Sequence, residues 1–97
     1  MYALAVTSQV QLDKIDEAAS IFRDSVIPAY EQLNGFKSAM LMIDPDTGRS
    51  LGISLWASEA DRAAVQSSGT LQEQLAKFAA VLAMQPVPNT YEVKVQM

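Results

Sequence analysis

The stretch from Gly35 to Ala64 most constrains the fold, because its pattern is that of a strand, a tight turn, a second strand and a capped helix. Phe36 to Asp44 and Arg49 to Ala57 are rich in residues that favour strands. Between them, the segment Pro45 to Gly48 supplies a proline that fixes one turn dihedral and a glycine that accepts a positive one. Ser58 is a favourable N-cap for the helix that follows. The sequence therefore predicts an antiparallel hairpin that leads directly into a helix.

The residues before the hairpin predict a strand and a long helix. Tyr2 to Val10 is rich in Ala, Leu, Val and Thr and lacks helix-starting signals, which predicts a strand. Asp13 is a favourable N-cap three residues before Asp16. Apolar residues then recur at spacings of three and four up to Asn34-Gly35, where a glycine can end a helix in the left-handed conformation. Pro28 interrupts this pattern without changing its period, which predicts one bent helix.

The residues after the hairpin predict two helices and a strand. The first helix runs from Ser58 to about Gln66, and the second begins at Thr70 with Glu73 three residues on. The second helix buries a set of apolar side chains and ends before two prolines: Leu71, Leu75, Phe78, Ala79 and Leu82, then Pro86 and Pro88. Tyr91 to Met97 alternates apolar and polar residues, as a half-buried strand does.

The element order is β-α-β-β-α-α-β, which predicts an α+β, ferredoxin-like fold with a four-stranded antiparallel sheet. In that plan the first and third strands are central, and the second and fourth are edges. The 97 residues suit one domain, residues 1–97, because a chain of this length builds a single core.

The two faces of the hairpin predict a homodimer. The third strand sends Leu51, Ile53 and Leu55 to one side, which we expect to be the core face. Its other side carries Ser50, Gly52, Ser54 and Trp56, and small residues of the first strand (Ala3, Ala5 and Thr7) are expected beside them. The second strand is apolar on both faces, so a partner is expected to cover it. We expect the sheets of two subunits to pack face to face and so cover it.

Charge and composition exclude several classes of protein. Seven basic residues are scattered singly and the net charge is −4, so no basic stripe exists for nucleic acid. No apolar run approaches the ~20 residues that span a bilayer, and we expect a cytoplasmic protein. The chain has no His and no Cys, which leaves no metal-spaced cluster, disulfide or catalytic triad. No metal and no cofactor are therefore expected.

The Gly35-Phe36 entry to the second strand, the Asp44 to Gly48 turn and the junction from Leu55 to Ala60 resemble the dimeric α+β barrel superfamily. The chain looks most like the antibiotic-biosynthesis-monooxygenase-like branch over nearly its whole length. The resemblance implies a homodimer whose sheets form a shared barrel, with a cleft between sheet and helices in each subunit. Relatives of this kind oxidise phenolic polycycles with oxygen and no cofactor, bind or degrade haem, or rearrange small ring compounds.

The resemblance departs from the oxygenase pattern at two positions. Cofactor-free oxygenases of this kind carry an Asn four residues before the tryptophan and a Tyr six after it. This chain has Gly52 and Arg62 there, and Trp56 itself is retained. Haem-using relatives depend on a histidine or a comparable ligand, and this chain offers only Asn or Tyr for that role.

Five residues are candidates for a ligand pocket. The Trp56 ring would stack on a flat substrate or, in the alternative interpretation, fill the seam between the third strand and the next helix. Tyr30 and Asn34 share a helix face and would polarise an oxygen, or else serve as packing and as a helix end. Arg49 and Arg62 would hold an anionic group or remain solvated.

Other conspicuous residues have structural explanations. Asp44 and Asp46 bracket Pro45, and turn chemistry accounts for both. A set of methionines offers soft apolar surface that suits core or dimer packing, or varied apolar ligands: Met40, Met42, Met84 and Met97.

Two functional hypotheses follow. The first is a homodimer that binds a flat or apolar small molecule in a sheet–helix cleft, with cofactor-independent monooxygenation of an aromatic or polyketide-like substrate as its chemistry. The second is a non-catalytic dimeric binding or assembly module, which the Gly52 and Arg62 departures and the missing histidine favour.

Overall fold

Four strands form one antiparallel sheet in a computed structural model that describes all 97 residues, Met1–Met97. The strands are β1 (Tyr2–Val10), β2 (Phe36–Ile43), β3 (Arg49–Trp56) and β4 (Leu82–Glu92). Their order in the sheet is β2-β3-β1-β4. The predicted ferredoxin-like plan is confirmed, including the central places of β1 and β3.

Residues 12–31 form the first helical segment, which changes character along its length. It comprises a 3-10 turn (Leu12–Lys14), α1 (Ile15–Ile21), a π-helical turn (Phe22–Val26) and α2 (Ile27–Glu31). Asp13 lies inside the 3-10 turn, and no side chain caps that end. The predicted N-cap at Asp13 is therefore wrong, because the chain starts to coil one residue earlier.

Pro28 explains the π-helical turn that precedes it. A proline in a regular α-helix lacks the N–H that would bond four residues back, and its ring clashes with that carbonyl. Here the N–H of Ile27 donates to the carbonyl of Phe22, five residues back, which widens the helix by one residue. The helical path therefore continues through Pro28, as the unbroken periodicity predicted.

The hairpin turn and the next helix form as their local sequences predict. The N–H of Asp46 donates to the Asp44 carboxylate at 2.9 Å, and Gly48 adopts a φ of +81°. The Ser58 hydroxyl accepts from the N–H of Asp61 at 3.1 Å and caps α3 (Glu59–Ser67). The N-cap at Ser58 and the positive φ of Gly48 are confirmed.

The C-terminal third differs from its prediction. The helix α4 (Thr70–Ala76) ends early, and Gly69 precedes it with no side-chain cap, so the Thr70 cap is wrong. From Lys77 to Val81 the backbone bonds span three residues, which tightens the chain into turns. Strand β4 then includes Pro86 and Pro88 and ends at Glu92, so the predicted strand at 91–97 is wrong in its bounds. An edge strand tolerates proline because one side of it needs no ladder bonds.

The two faces of the sheet are the reverse of the prediction. The helix-facing side carries Ser50, Ser54 and Trp56 of β3, all buried, opposite Ser8, Leu4 and Tyr2 of β1. Leu51, Ile53 and Leu55 lie on the other side, which we call the open face, and pair with Thr7, Ala5 and Ala3. The small residues of β1 and β3 thus lie on opposite faces and do not form one lined surface.

The hydrophobic core lies between the helix-facing side and the helices. It contains these buried side chains: Leu4, Val10, Ala18, Val26, Tyr30, Trp56, Val65, Leu71, Phe78 and Val81. None of the helices has the length and apolar character needed to cross a membrane.

Candidate functional site

A cavity of about 60 Å³ lies between the helix-facing side of the sheet, the first helical segment and α4. Its walls are mainly apolar, with Leu4, Val6, Leu41, Phe78 and Leu82 among them, and no charged side chain lines it. A water molecule needs roughly 10–15 Å³ by this measure, so the cavity holds several waters or a compact organic group. Apolar walls with a few polar groups are typical of small-molecule sites.

The π-helical turn and Gly52 make room for this cavity from opposite sides. Phe22 and Val26 lie at the two ends of the π-helical turn, and both line the cavity. Gly52 faces them from β3, and a Cβ built there would lie 3.6 Å from the Phe22 ring. This π-helical turn thus accommodates Pro28 and also lines the cavity. Turns of this kind often occur at functional sites.

Four neutral polar side chains line the cavity: Ser8, Ser54, Tyr30 and Gln74. The Ser8 and Ser50 hydroxyls are 2.5 Å apart, and the Ser54 hydroxyl accepts from the Trp56 indole N–H at 2.9 Å. The two serines therefore already have partners within the sheet. Tyr30 and Gln74 retain free hydrogen-bonding capacity.

Tyr30 is 5% exposed, and its hydroxyl makes no hydrogen bond within the chain. Burial raises the pKa of Tyr30 to about 12, because the phenolate would lose its hydration. The phenol is therefore neutral at pH 7 and can donate a hydrogen bond. It is not a general base near neutral pH.

We expect the Tyr30 phenol to make stability fall as pH rises from about 10 to about 12. Below pH 10 the phenol is neutral in both states, so its contribution is fully present. Between the two pKa values only the unfolded chain ionises, which favours unfolding by about 2–3 kcal/mol in total. Urea unfolding at pH 9 and pH 11.5 should show about 2 kcal/mol of this loss in the wild type and none of it in Tyr30→Phe.

Tyr2→Phe is the matched control, because Tyr2 lies outside the cavity wall and outside the open face of the sheet. It should keep the alkaline loss of the wild type. Equal losses in the wild type and in Tyr30→Phe would contradict the assignment to Tyr30.

The structure places the five candidate residues in different environments. Trp56 is fully buried and contacts the rings of Tyr30 and Phe36, with centroids 5.5 and 5.4 Å away. Tyr30 lines the cavity, while Asn34 is exposed beyond the end of α2. Arg49 is exposed and lies 3.8 Å from the Asp44 carboxylate, and Arg62 is half-buried on α3. Of the five, the structure brings only Tyr30 to the cavity wall.

Gln74 is the residue that sequence reasoning missed. It lies on α4 among Leu71, Leu75 and Phe78, and it is only 4% exposed. Its position was available in the sequence, since it falls three residues after Leu71 and four before Phe78 on the predicted buried face. A polar residue within a predicted buried stripe is the sequence signal that indicates Gln74.

The fold is that of antibiotic-biosynthesis-monooxygenase-like proteins, which confirms the resemblance at the level of fold. SnoaB, a cofactor-independent oxygenase from Streptomyces nogalater, matches with a TM-score of 0.77 at 11% identity over 99% of this chain and 95% of its own. A monooxygenase from the gene ActVA-Orf6 of Streptomyces coelicolor, in complex with nanaomycin D, matches with a TM-score of 0.73 at 19% identity. The match covers 99% of this chain and 89% of that protein. The NE2512 protein of unknown function from Nitrosomonas europaea matches with a TM-score of 0.78 at 18% identity. The match covers 99% of this chain and 91% of that protein.

Two uncharacterised proteins of Mycobacterium tuberculosis are similar in sequence. Rv2558 is 30% identical over 77 residues, which is 78% of this chain and 33% of that protein. Rv2557 is 30% identical over 79 residues, which is 80% of this chain and 35% of that protein. The chain thus spans about a third of the length of the curated relatives it matches. No family model matches the chain.

Proposed function

We propose that this chain is a binding domain for a small, neutral, mainly apolar molecule, held in the cavity between the sheet and the helices. The carrying observation is the chemistry of the wall, which is apolar with only uncharged polar groups. A charged ligand would lose its hydration there without a counter-ion, whereas a neutral one gains apolar contact. At about 60 Å³ the space suits a compact molecule, and a larger ring system requires wall side chains to move aside.

The proposal includes a homodimer that covers the open face of the sheet. That face presents apolar side chains about half exposed, namely Met40, Met42, Met84, Val87 and Tyr91, around the half-buried Leu51, Ile53 and Leu55. Monomeric proteins rarely leave a contiguous patch of this kind to solvent. Ala3 and Ala5 lie in the middle of it and let a second sheet approach closely. Face-to-face packing of two such sheets would build the shared barrel that the resemblance implies.

Cofactor-independent monooxygenation is a second candidate, and the fold shared with SnoaB and the ActVA-Orf6 protein favours it. Oxidation of a ring CH₂ by O₂ to a carbonyl and water balances without another reductant. The substrate would have to ionise largely on its own, because the only titratable side chain on the wall is Tyr30. Gly52 also leaves the cavity without the amide that the oxygenase pattern places there. We therefore propose ligand binding as the main function and catalysis as the alternative.

Native mass spectrometry of the freshly purified protein tests the proposal, because it reports subunit number and retained small molecules together. We expect a dimer that carries extra mass. In Gly52→Val the added side chain points at Phe22 and narrows the cavity, so the extra mass should be lost while the dimer persists. Thr90→Val, at an exposed position of β4, should keep both.

A monomer would contradict the proposed assembly. Extra mass that survives in Gly52→Val would place the ligand elsewhere. Oxygen consumption with an electron-rich hydroxylated anthrone, measured against the same protein after heat denaturation, would move the weight to the monooxygenase.

A further inference from the structure

A chain of three side chains leads from the surface to the cavity. The Lys77 ammonium donates to the Ser25 hydroxyl at 2.7 Å, and the Ser25 hydroxyl donates to Oε1 of Gln74 at 2.7 Å. Lys77 is exposed, Ser25 is half-buried and Gln74 lies on the cavity wall.

The chemistry of this chain fixes which way the Gln74 amide faces. An ammonium group can only donate, so the Ser25 oxygen must accept from Lys77. Ser25 has a single hydroxyl proton, which is then free to go only to an acceptor. The Gln74 atom beside Ser25 is therefore the carbonyl oxygen, and the amide nitrogen faces away from it.

The Gln74 nitrogen opens onto accessible space. Nε2 has no hydrogen-bond partner within the chain, yet every fully sealed polar side-chain atom of the protein has one. Nε2 is consequently reachable, although the residue as a whole is 96% buried and lines the cavity. The Lys77 charge polarises Ser25 and then the amide carbonyl, which makes the remaining N–H groups better donors.

The geometry points to Gln74 as the specificity-determining residue of the cavity: its amide N–H donates to a carbonyl oxygen of the ligand, with Ser25 and Lys77 as positioning residues. This inference rests on the proposed binding function and names its ligand class, a compact neutral molecule with a ketone, quinone or lactone oxygen. A hydroxyl oxygen could also accept this hydrogen bond, but its own proton would then need an acceptor, which the oriented amide does not offer.

The test uses 1-tetralone and tetralin, which differ by one carbonyl oxygen, with binding followed by Trp56 fluorescence and chemical-shift titration. In Gln74→Leu we expect the affinity for 1-tetralone to fall about tenfold, since its carbonyl loses the donor that Gln74 supplies. The affinity for tetralin should stay the same or rise. Gln72→Leu makes the same change at an exposed position of α4 and should alter neither.

The positioning residues are tested by the ratio of the two affinities. Ser25→Ala and Lys77→Met should lower the preference for 1-tetralone about two- to threefold, and Lys77→Arg should restore it. A loss of packing alone would weaken both ligands equally. In the wild type, the Gln74 side-chain NH₂ resonances should shift with 1-tetralone and not with tetralin, a measurement that does not depend on a variant that folds.

Each outcome decides a separate point. If both ligands bind and Gln74→Leu leaves their ratio unchanged, the role of Gln74 is wrong and the binding function stands. If the NH₂ resonances respond equally to both ligands, the donor assignment is likewise overturned. If neither ligand binds, and the smaller single-ring ketone cyclopentanone does not bind either, the proposed binding function is overturned and this inference with it.

Discussion

Replacing Trp56 by alanine should lower the free energy of unfolding by about 3–5 kcal/mol, the range for a large buried aromatic side chain. Trp56 has no exposed surface and lies edge-to-face against Tyr30 and Phe36. Its indole N–H is bonded to the Ser54 hydroxyl, so the change also leaves that hydroxyl without its partner. Small domains have only about 5–15 kcal/mol of stability in all, so this loss is a large fraction of the total.

Trp56→Phe separates packing from binding. It keeps an aromatic ring in the seam and removes only part of the volume and the N–H, so we expect a smaller loss, about 1–3 kcal/mol. Because Trp56 does not line the cavity, the affinity for ligands should remain unchanged in Trp56→Phe. Urea denaturation and a ligand titration measure the two effects. A loss of affinity without a loss of stability would restore Trp56 as a ligand-stacking residue.

Leu51→Lys should convert the proposed dimer to a monomer, with a rise of at least about 100-fold in the dissociation constant. Leu51 lies on the open face between Thr7 of β1 and Met42 of β2. A lysine on each subunit would bring two unpaired ammonium groups into the interface, and their desolvation opposes association. In the separated subunit the ammonium reaches solvent on its flexible stem, so the fold itself should persist.

Light scattering at micromolar concentration reports the mass directly, and circular dichroism confirms the fold. Ala79→Lys adds the same charge at an exposed position outside the open face and should leave the dimer intact. A Leu51→Lys dimer of unchanged affinity would mean that the chain associates through another surface. A monomeric wild type would overturn the homodimer itself.

Local signals in the sequence account for most of the elements. The turn from Asp44 to Gly48 and the cap at Ser58 each contain a hydrogen bond between residues two or three apart, so their local sequences are enough to predict them. The periodicity of the first helical segment also survives Pro28, because a π-helical turn absorbs the missing hydrogen bond locally.

The wrong predictions concern elements whose bounds depend on contacts with residues distant in sequence. Strand β4 was predicted too late because Pro86 and Pro88 mark the end of a helix in isolation. In the folded chain this segment pairs only with β1, and an edge strand accepts proline. The helix α4 ends early because Val81 is drawn into the core and the N–H of Gln11 bonds to its carbonyl.

The candidate site divides in the same way. Tyr30 is a sequence candidate because an aromatic residue on a buried stripe is conspicuous, and it lines the cavity. Gln74 was missed because an amide in an apolar stripe has no distinctive sequence pattern. Its proposed role depends on Ser25, which is 49 residues away in the chain and only 2.7 Å away in space.

The sequence by itself determined the order of the elements, the ferredoxin-like plan, the hairpin turn and the alternation of side chains along each strand. Alternation shows which residues share a face, but not which face the helices cover. That choice was made by tertiary packing, which seats Trp56 against Tyr30 and Phe36 and so turns Leu51, Ile53 and Leu55 outward. Period-2 patterning is a property of one strand, whereas burial depends on what the other elements bring to it.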